Sequence, residues 1–124
     1  MHTKALKNYR TAQKLRTSEE QEQVVLASWL DARGLLWCHV PNGGQRSKAT
    51  GSRLKRMGVK AGVPDILIFG RLNIAIELKR ADGALSDVSE AQEWWLEQLE
   101  ARGWVTMVGY GATDAIAKLS RYYP

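Results

Sequence analysis

Two short apolar runs joined by a turn stand out in the middle of the chain. The first is Val63-Pro64-Asp65-Ile66-Leu67-Ile68-Phe69, the turn is Gly70-Arg71-Leu72-Asn73, and the second run is Ile74-Ala75-Ile76-Glu77-Leu78-Lys79. Both runs are rich in β-branched residues and bounded by Gly, Pro or Asn, which predicts a β-hairpin. Alternation along the second strand puts Ile74, Ile76 and Leu78 on one face and Ala75, Glu77 and Lys79 on the other. The flanking pattern is helical. Thr17 or Ser18 caps a first helix whose opening turn carries Glu19, Glu20 and Glu22. Val24, Val25, Leu26, Ala27, Trp29 and Leu30 supply its apolar stripe, and Gly34 ends it. Residues 35–40 read as the first strand, with Cys38 expected as a small buried residue.

After the hairpin, residues 80–83 predict a turn, and Ser89 starts a second helix with Gln92 as its capping-box partner. Trp94, Trp95, Leu96 and Leu99 read as core or interface, because tryptophan at helical spacing is usually packing. Residues 104–108 predict a last strand, and Thr113 or Asp114 a cap for a final helix through Leu119. The expected order is helix, three strands, helix, strand, helix: an α/β chain with a mixed sheet flanked by helices, and one domain at 124 residues.

Charge adds information through its placement. The net charge is +5, a balance that favours a polyanionic partner. Residues 1–17 hold Lys4, Lys7, Arg10, Lys14 and Arg16 with no acid, and read as a basic N-terminal arm ahead of a domain at 18–124. Residues 42–64 hold Arg46, Lys48, Arg53, Lys55, Arg56 and Lys60, again with no acid. That second stretch is glycine-rich and weakly patterned, so it predicts a mobile basic loop at about 42–62 that orders on nucleic acid. Arg46, Lys48, Arg53, Lys55 and Lys60 are the expected phosphate contacts, with Lys60 nearest Asp65.

Other chemistries are excluded or weak. Cys38 is the single cysteine, so no internal disulfide forms, which fits a reducing cytoplasm. No apolar run reaches the length of a membrane span. Cys38 and His39 are adjacent on a strand and point to opposite faces, so the chain lacks a zinc ligand set. His39 reads as structural, with phosphate contact as the alternative.

The hairpin carries the candidate chemistry. A carboxylate and an amine two residues apart in so apolar a strand are costly to bury without a use. Asp65, just after the stiff Pro64, brings a second carboxylate to the same end of the sheet. Two such groups suit Mg²⁺ or Mn²⁺, which acidify a bound water and screen the charge building on a phosphate under attack. Lys79 then orients that water or stabilises the transition state. The same spacing also fits an exposed Glu–Lys pair on an edge strand, with Asp65 capping a turn.

Pro64-Asp65 with Glu77-Leu78-Lys79 resembles the PD-(D/E)xK nuclease signature. The segments 60–65, 76–79 and 89–94, together with Gly34-Leu35-Leu36-Trp37 and Pro41-Asn42-Gly43-Gly44, resemble the VRR-NUC branch, in particular its small stand-alone, phage-type members. The resemblance spans about residues 18–118. It implies a restriction-endonuclease-like core and a divalent-metal-dependent DNA endonuclease working in a bacterial or phage-infected cytoplasm. It also implies metal binding by Asp65, Glu77 and the Leu78 carbonyl, with one glutamate from the first helix: Glu19 by spacing to Gln23, or else Glu20 or Glu22. Lys79 and an accessory Gln92 complete the implied catalytic set. The relatives are similar to four-way-junction resolvases that act as homodimers. Flap or single-strand cleavage is the enzymatic alternative, and a DNA-binding module on a nuclease scaffold the non-enzymatic one.

Overall fold

The structure is a computed structural model that describes residues 18–42 and 47–124. The expected basic arm at 1–17 and Arg46 lie outside the described residues. Four strands, β1 (Trp37–His39), β2 (Ile66–Ile68), β3 (Ile74–Lys79) and β4 (Val105–Tyr110), form one sheet in that spatial order. β1 pairs antiparallel with β2 and β2 antiparallel with β3, and β4 runs parallel to β3. The sheet is mixed because β2 and β3 are joined by a tight turn, whereas β3 and β4 need a crossover. That crossover contains a short 3₁₀ turn (Leu85–Asp87) and a helix. In chain order the helices are α1 (Glu19–Ala32), α2 (Lys48–Arg56), α3 (Glu90–Ala101) and α4 (Gly111–Leu119).

The alternation read along β3 holds, and it divides the molecule. Ile74, Ile76 and Leu78 enter one core with Leu26 and Leu30 of α1 and Ala112, Ala115 and Leu119 of α4. The opposite face, with Ala75, Glu77 and Lys79, is covered at one end by α3. All six β3 residues are therefore buried, as expected for a central strand covered on both sides.

Local signals set the starts of two helices. Ser18 accepts from the Gln21 amide while the Gln21 side chain accepts from the Ser18 amide. Ser89 and Gln92 make the same reciprocal pair at α3.

Several expectations change. The first strand is only Trp37–His39, and Leu36 is 71% exposed. Cys38 is exposed, not buried. It pairs with Leu67 on the α3 face of the sheet, and β1 is the edge strand farthest from β3 and β4, against which α3 packs. No residue of α3 is fully buried, and Trp94 is 53% exposed. The Trp94 and Trp95 rings meet edge to face at 5.7 Å, forming a partly solvated pair where core had been expected. The final strand continues to Tyr110, and α4 starts at once without a side-chain cap from its own N-cap residue. Asp114 accepts from the Tyr110 amide, and Glu22 of α1 accepts from the Ala112 amide. Most of the supposed loop at 42–62 that is described is helical: α2 is capped by Ser47, which accepts from the Thr50 amide.

Candidate active site

The hairpin register builds the site. Ile66 pairs with Ile76 and Leu67 with Ala75, so the next pair outward sets Asp65 opposite Glu77 on the same face. Asp65 Oδ2 accepts from the Leu78 amide at 2.7 Å. The Asp65 carbonyl accepts from the Val40 amide at 2.8 Å and lies 2.8 Å from His39 Nδ1. Because a carbonyl can only accept, that ring nitrogen carries the proton. Asp65 is thus held from both neighbouring strands.

Glu77 is 2% exposed and Lys79 8%. Gln92 joins them: its Nε2 donates to Glu77 Oε1 at 2.8 Å, and its Oε1 accepts from Lys79 Nζ at 2.9 Å. The same Oε1 accepts from the Ser89 amide at 2.9 Å, so the capping box also orients the amide toward the strand. Lys79 Nζ lies 3.8 Å from Glu77 Oε1.

The electrostatics are unbalanced. Burial and the facing Asp65 charge push Glu77 up to about 9, only partly offset by Lys79. Burial likewise raises Asp65, against the opposing pull of the Leu78 amide. Glu77 Oε2 is buried with no hydrogen-bond partner in the protein, an expensive state for a carboxylate oxygen. Burial thus makes the facing pair hold a proton in the absence of metal; a divalent cation beside both carboxyls would displace that proton and compensate the charges, so these residues fit such a metal. Among the described residues no three His, Cys, Asp or Glu side chains cluster as a ready-made cage.

A cavity of about 510 Å³ opens beside Asp65, walled by Glu19, Glu20, Gln23, His39 and Asn42 among others. The three helix acids therefore separate. Glu19 and Glu20 face the cavity, and the Glu19 charge adds to the upward push on Glu77. Glu22 is committed to α4. Lys48, Arg53 and Lys55 are exposed on α2, and Lys60 is exposed where its carbonyl accepts from Asn42 Nδ2 at 2.8 Å. Gln23, His39 and Asn42 had not been placed at the pocket. Asn42 was visible in the Pro-Asn-Gly-Gly turn, and Gln23 in its spacing to Glu19.

Residues 17–112 match the VRR-NUC domain family. The chain belongs to that family. A solved structure described as a VRR_NUC domain protein is 25% identical, with a TM-score of 0.69 over 85% of this chain and 87% of that one. Two solved chains match in all, and no curated protein does. The VRR-NUC domain is a nuclease domain of restriction-endonuclease-like fold, a group that uses divalent metals, and its substrate class is DNA. No helix among the described residues is long and apolar enough to cross a membrane.

Proposed function

We propose that this VRR-NUC domain is a Mg²⁺- or Mn²⁺-dependent endonuclease that hydrolyses DNA phosphodiesters, selective for branched substrates such as four-way junctions. The observation that carries the reading is the buried, partnerless Glu77 Oε2 facing Asp65 beside Lys79. Asp65, Glu77 and the Leu78 carbonyl would hold the cation, with Glu19 approaching from the cavity wall. Bound there, the cation supplies an acidified water and screens charge on the phosphate.

The protein's own groups do the rest. Lys79, its Nζ fixed by Gln92, directs a positive charge at the attacked phosphate and orients the incoming water. Gln92 keeps Glu77 Oε1 occupied, so Glu77 presents its second oxygen to the cation. Burial of Glu77 and Lys79 keeps bulk water from screening these charges. Arg46, Lys48, Arg53, Lys55 and Lys60 grip the backbone on either side of the cut. A four-way junction offers two equivalent scissile phosphates and each copy of the domain carries one site, so a two-fold dimer is the working form.

The test is cleavage of matched four-way junction, flap, duplex and single-stranded substrates with Mg²⁺, Mn²⁺ or EDTA. Metal-dependent cutting greatest on the junction supports the proposal. Preferential flap or single-strand cutting replaces its substrate, and DNA binding without cutting in either metal overturns it.

A further inference from the structure

The element that changed most between expectation and structure is α2. Among its nine residues Lys48, Arg53, Lys55 and Arg56 are basic, none is acidic and none is aromatic. At 100° per residue the four basic positions lie on one side of the helix. The half-buried Thr50 and Leu54 lie on the other. Among the described residues none of the four cations takes part in an ion pair; those present are Lys79–Glu77, Arg80–Asp82 and Lys118–Asp114. No residue of α2 is buried.

The residues flanking this segment are hydrogen-bonded beside the catalytic pocket. Before it, the Val40 amide donates to the Asp65 carbonyl and Asn42 Nδ2 donates to the Lys60 carbonyl, each at 2.8 Å. After it, the Val59 amide closes back on the Leu54 carbonyl at 3.0 Å. Asn42 and Lys60, on either side of the helix in the chain, therefore meet at the wall that carries Asp65.

We infer that α2 is a preformed docking arm for double-stranded DNA flanking the scissile phosphate, with Arg56 as a contact the sequence alone did not single out. This rests on the reading of DNA as the substrate. With side chains a helix is about 10–12 Å across, a rod that a major groove about 12 Å wide admits. The four outward cations of α2 are spaced by helical geometry, which suits the regular phosphate lattice of a duplex. Single-strand binding grooves add aromatic stacking to positive charge, and α2 has no aromatic residue.

The experiment is fluorescence anisotropy in EDTA, from 50 to 200 mM salt, with a 20-base-pair duplex and a single strand of equal length. The parent domain is compared with a variant carrying Lys48→Gln, Arg53→Gln, Lys55→Gln and Arg56→Gln. Each lost phosphate contact lowers the salt slope by about 0.9. The fourfold variant should thus lose about 3 to 4 from the duplex slope, so its affinity changes about a hundredfold less across that salt range. The single-strand slope should move by less than about 1. A Lys48→Gln/Lys55→Gln variant should lose about half as much on the duplex, which keeps the test open if the fourfold variant misfolds.

An unchanged duplex slope in folded variants overturns the inference. So does an equal loss on the single strand, which would mark a general basic patch. Because binding is read in EDTA, it is independent of catalysis. Hydrolysis of bis(p-nitrophenyl) phosphate by the unaltered domain with Mn²⁺ reports separately on the nuclease reading.

Discussion

Gln92 Nε2 donates to Glu77 Oε1 at 2.8 Å, so the first turn of α3 is hydrogen-bonded to the central strand at the candidate catalytic carboxylate. The other end of the same amide accepts from Lys79 and from the Ser89 amide. One side chain therefore caps a helix and fixes two charged groups. Gln92→Ala removes hydrogen bonds to charged partners worth about 1.5–3 kcal/mol each. Cleavage should fall about 10- to 100-fold in kcat with little change in substrate affinity. Single-turnover kinetics at saturating enzyme measure it; a wild-type rate in a folded variant would detach Gln92 from the chemistry.

Lys79 is the one ammonium at the site. Lys79→Ala should lower cleavage by about 10²–10³-fold, the scale of losing a fixed electrostatic donor. DNA affinity should be retained, because the basic surface of α2 is untouched. Parallel cutting and gel-shift measurements check this, and full activity in the variant removes Lys79 from the mechanism.

Burial of the Glu77 carboxyl predicts a stability that depends on metal. Mg²⁺ or Mn²⁺ binding only to the folded state should raise the melting temperature with concentration, by mass action. Glu77→Gln keeps the shape and its Oε1 remains an acceptor for Gln92, while the cost of holding a buried carboxyl protonated at neutral pH is gone. The metal-free variant should melt higher than the parent, and its response to metal should vanish. Thermal melts in EDTA and in graded MnCl₂ read both; an equal metal response in the two proteins would move the cation elsewhere.

Asp114 governs the acid limb of stability. Partial burial raises its pKa, but the Tyr110 amide and the Lys118 ammonium together outweigh that and lower it. A depressed carboxylate contributes stability that is present above its unfolded pKa near 3.8 and lost as pH falls through the folded value. Asp114→Asn should therefore destabilise the protein at pH 7 by at most about 1 kcal/mol, since solvent screens the half-exposed Lys118 pair, with the difference closing as pH falls below 3.8 through the folded value. Urea melts across pH 2–7 test it.

Gly62 occupies a left-handed conformation (φ +92°), and a Cβ there would lie 2.5 Å from the Ala91 carbonyl carbon and 2.8 Å from the Gln92 amide nitrogen. The loop entering Asp65 thus packs directly on the start of α3. Gly62→Ala combines backbone strain with a clash against rigid main chain. It should cost more than about 2 kcal/mol and reduce cutting, because Asp65 and Gln92 move apart. A melt unchanged within error would contradict that packing.

Local patterns made much of this site readable from the chain. The hairpin is a short-range object: its turn and its β-branched runs set a period of two, and that period alone places Glu77 and Lys79 together and opposite Ile76 and Leu78. The helix starts at Ser18 and Ser89 are equally local, since each capping box closes within three residues. By contrast, α2 was read as loop because it is short, glycine-containing and without an apolar stripe. Its helix rests on the Ser47 cap, and not on packing.

By itself, then, the chain determined the strand pair, its facing carboxylates, the lysine two residues beyond Glu77, and the Ser–Gln caps, because each depends on neighbours a few residues away. The fold alone decided which residues water reaches and which remote groups meet. Cys38 is exposed because its strand sits at the sheet edge beyond the reach of α3. Glu22 leaves the pocket to cap a helix 90 residues later, and Glu77 Oε2 is left without a partner because two layers close over β3. Burial and long-range hydrogen bonds arise only when distant segments pack, and no local pattern in the chain encodes which segments those are.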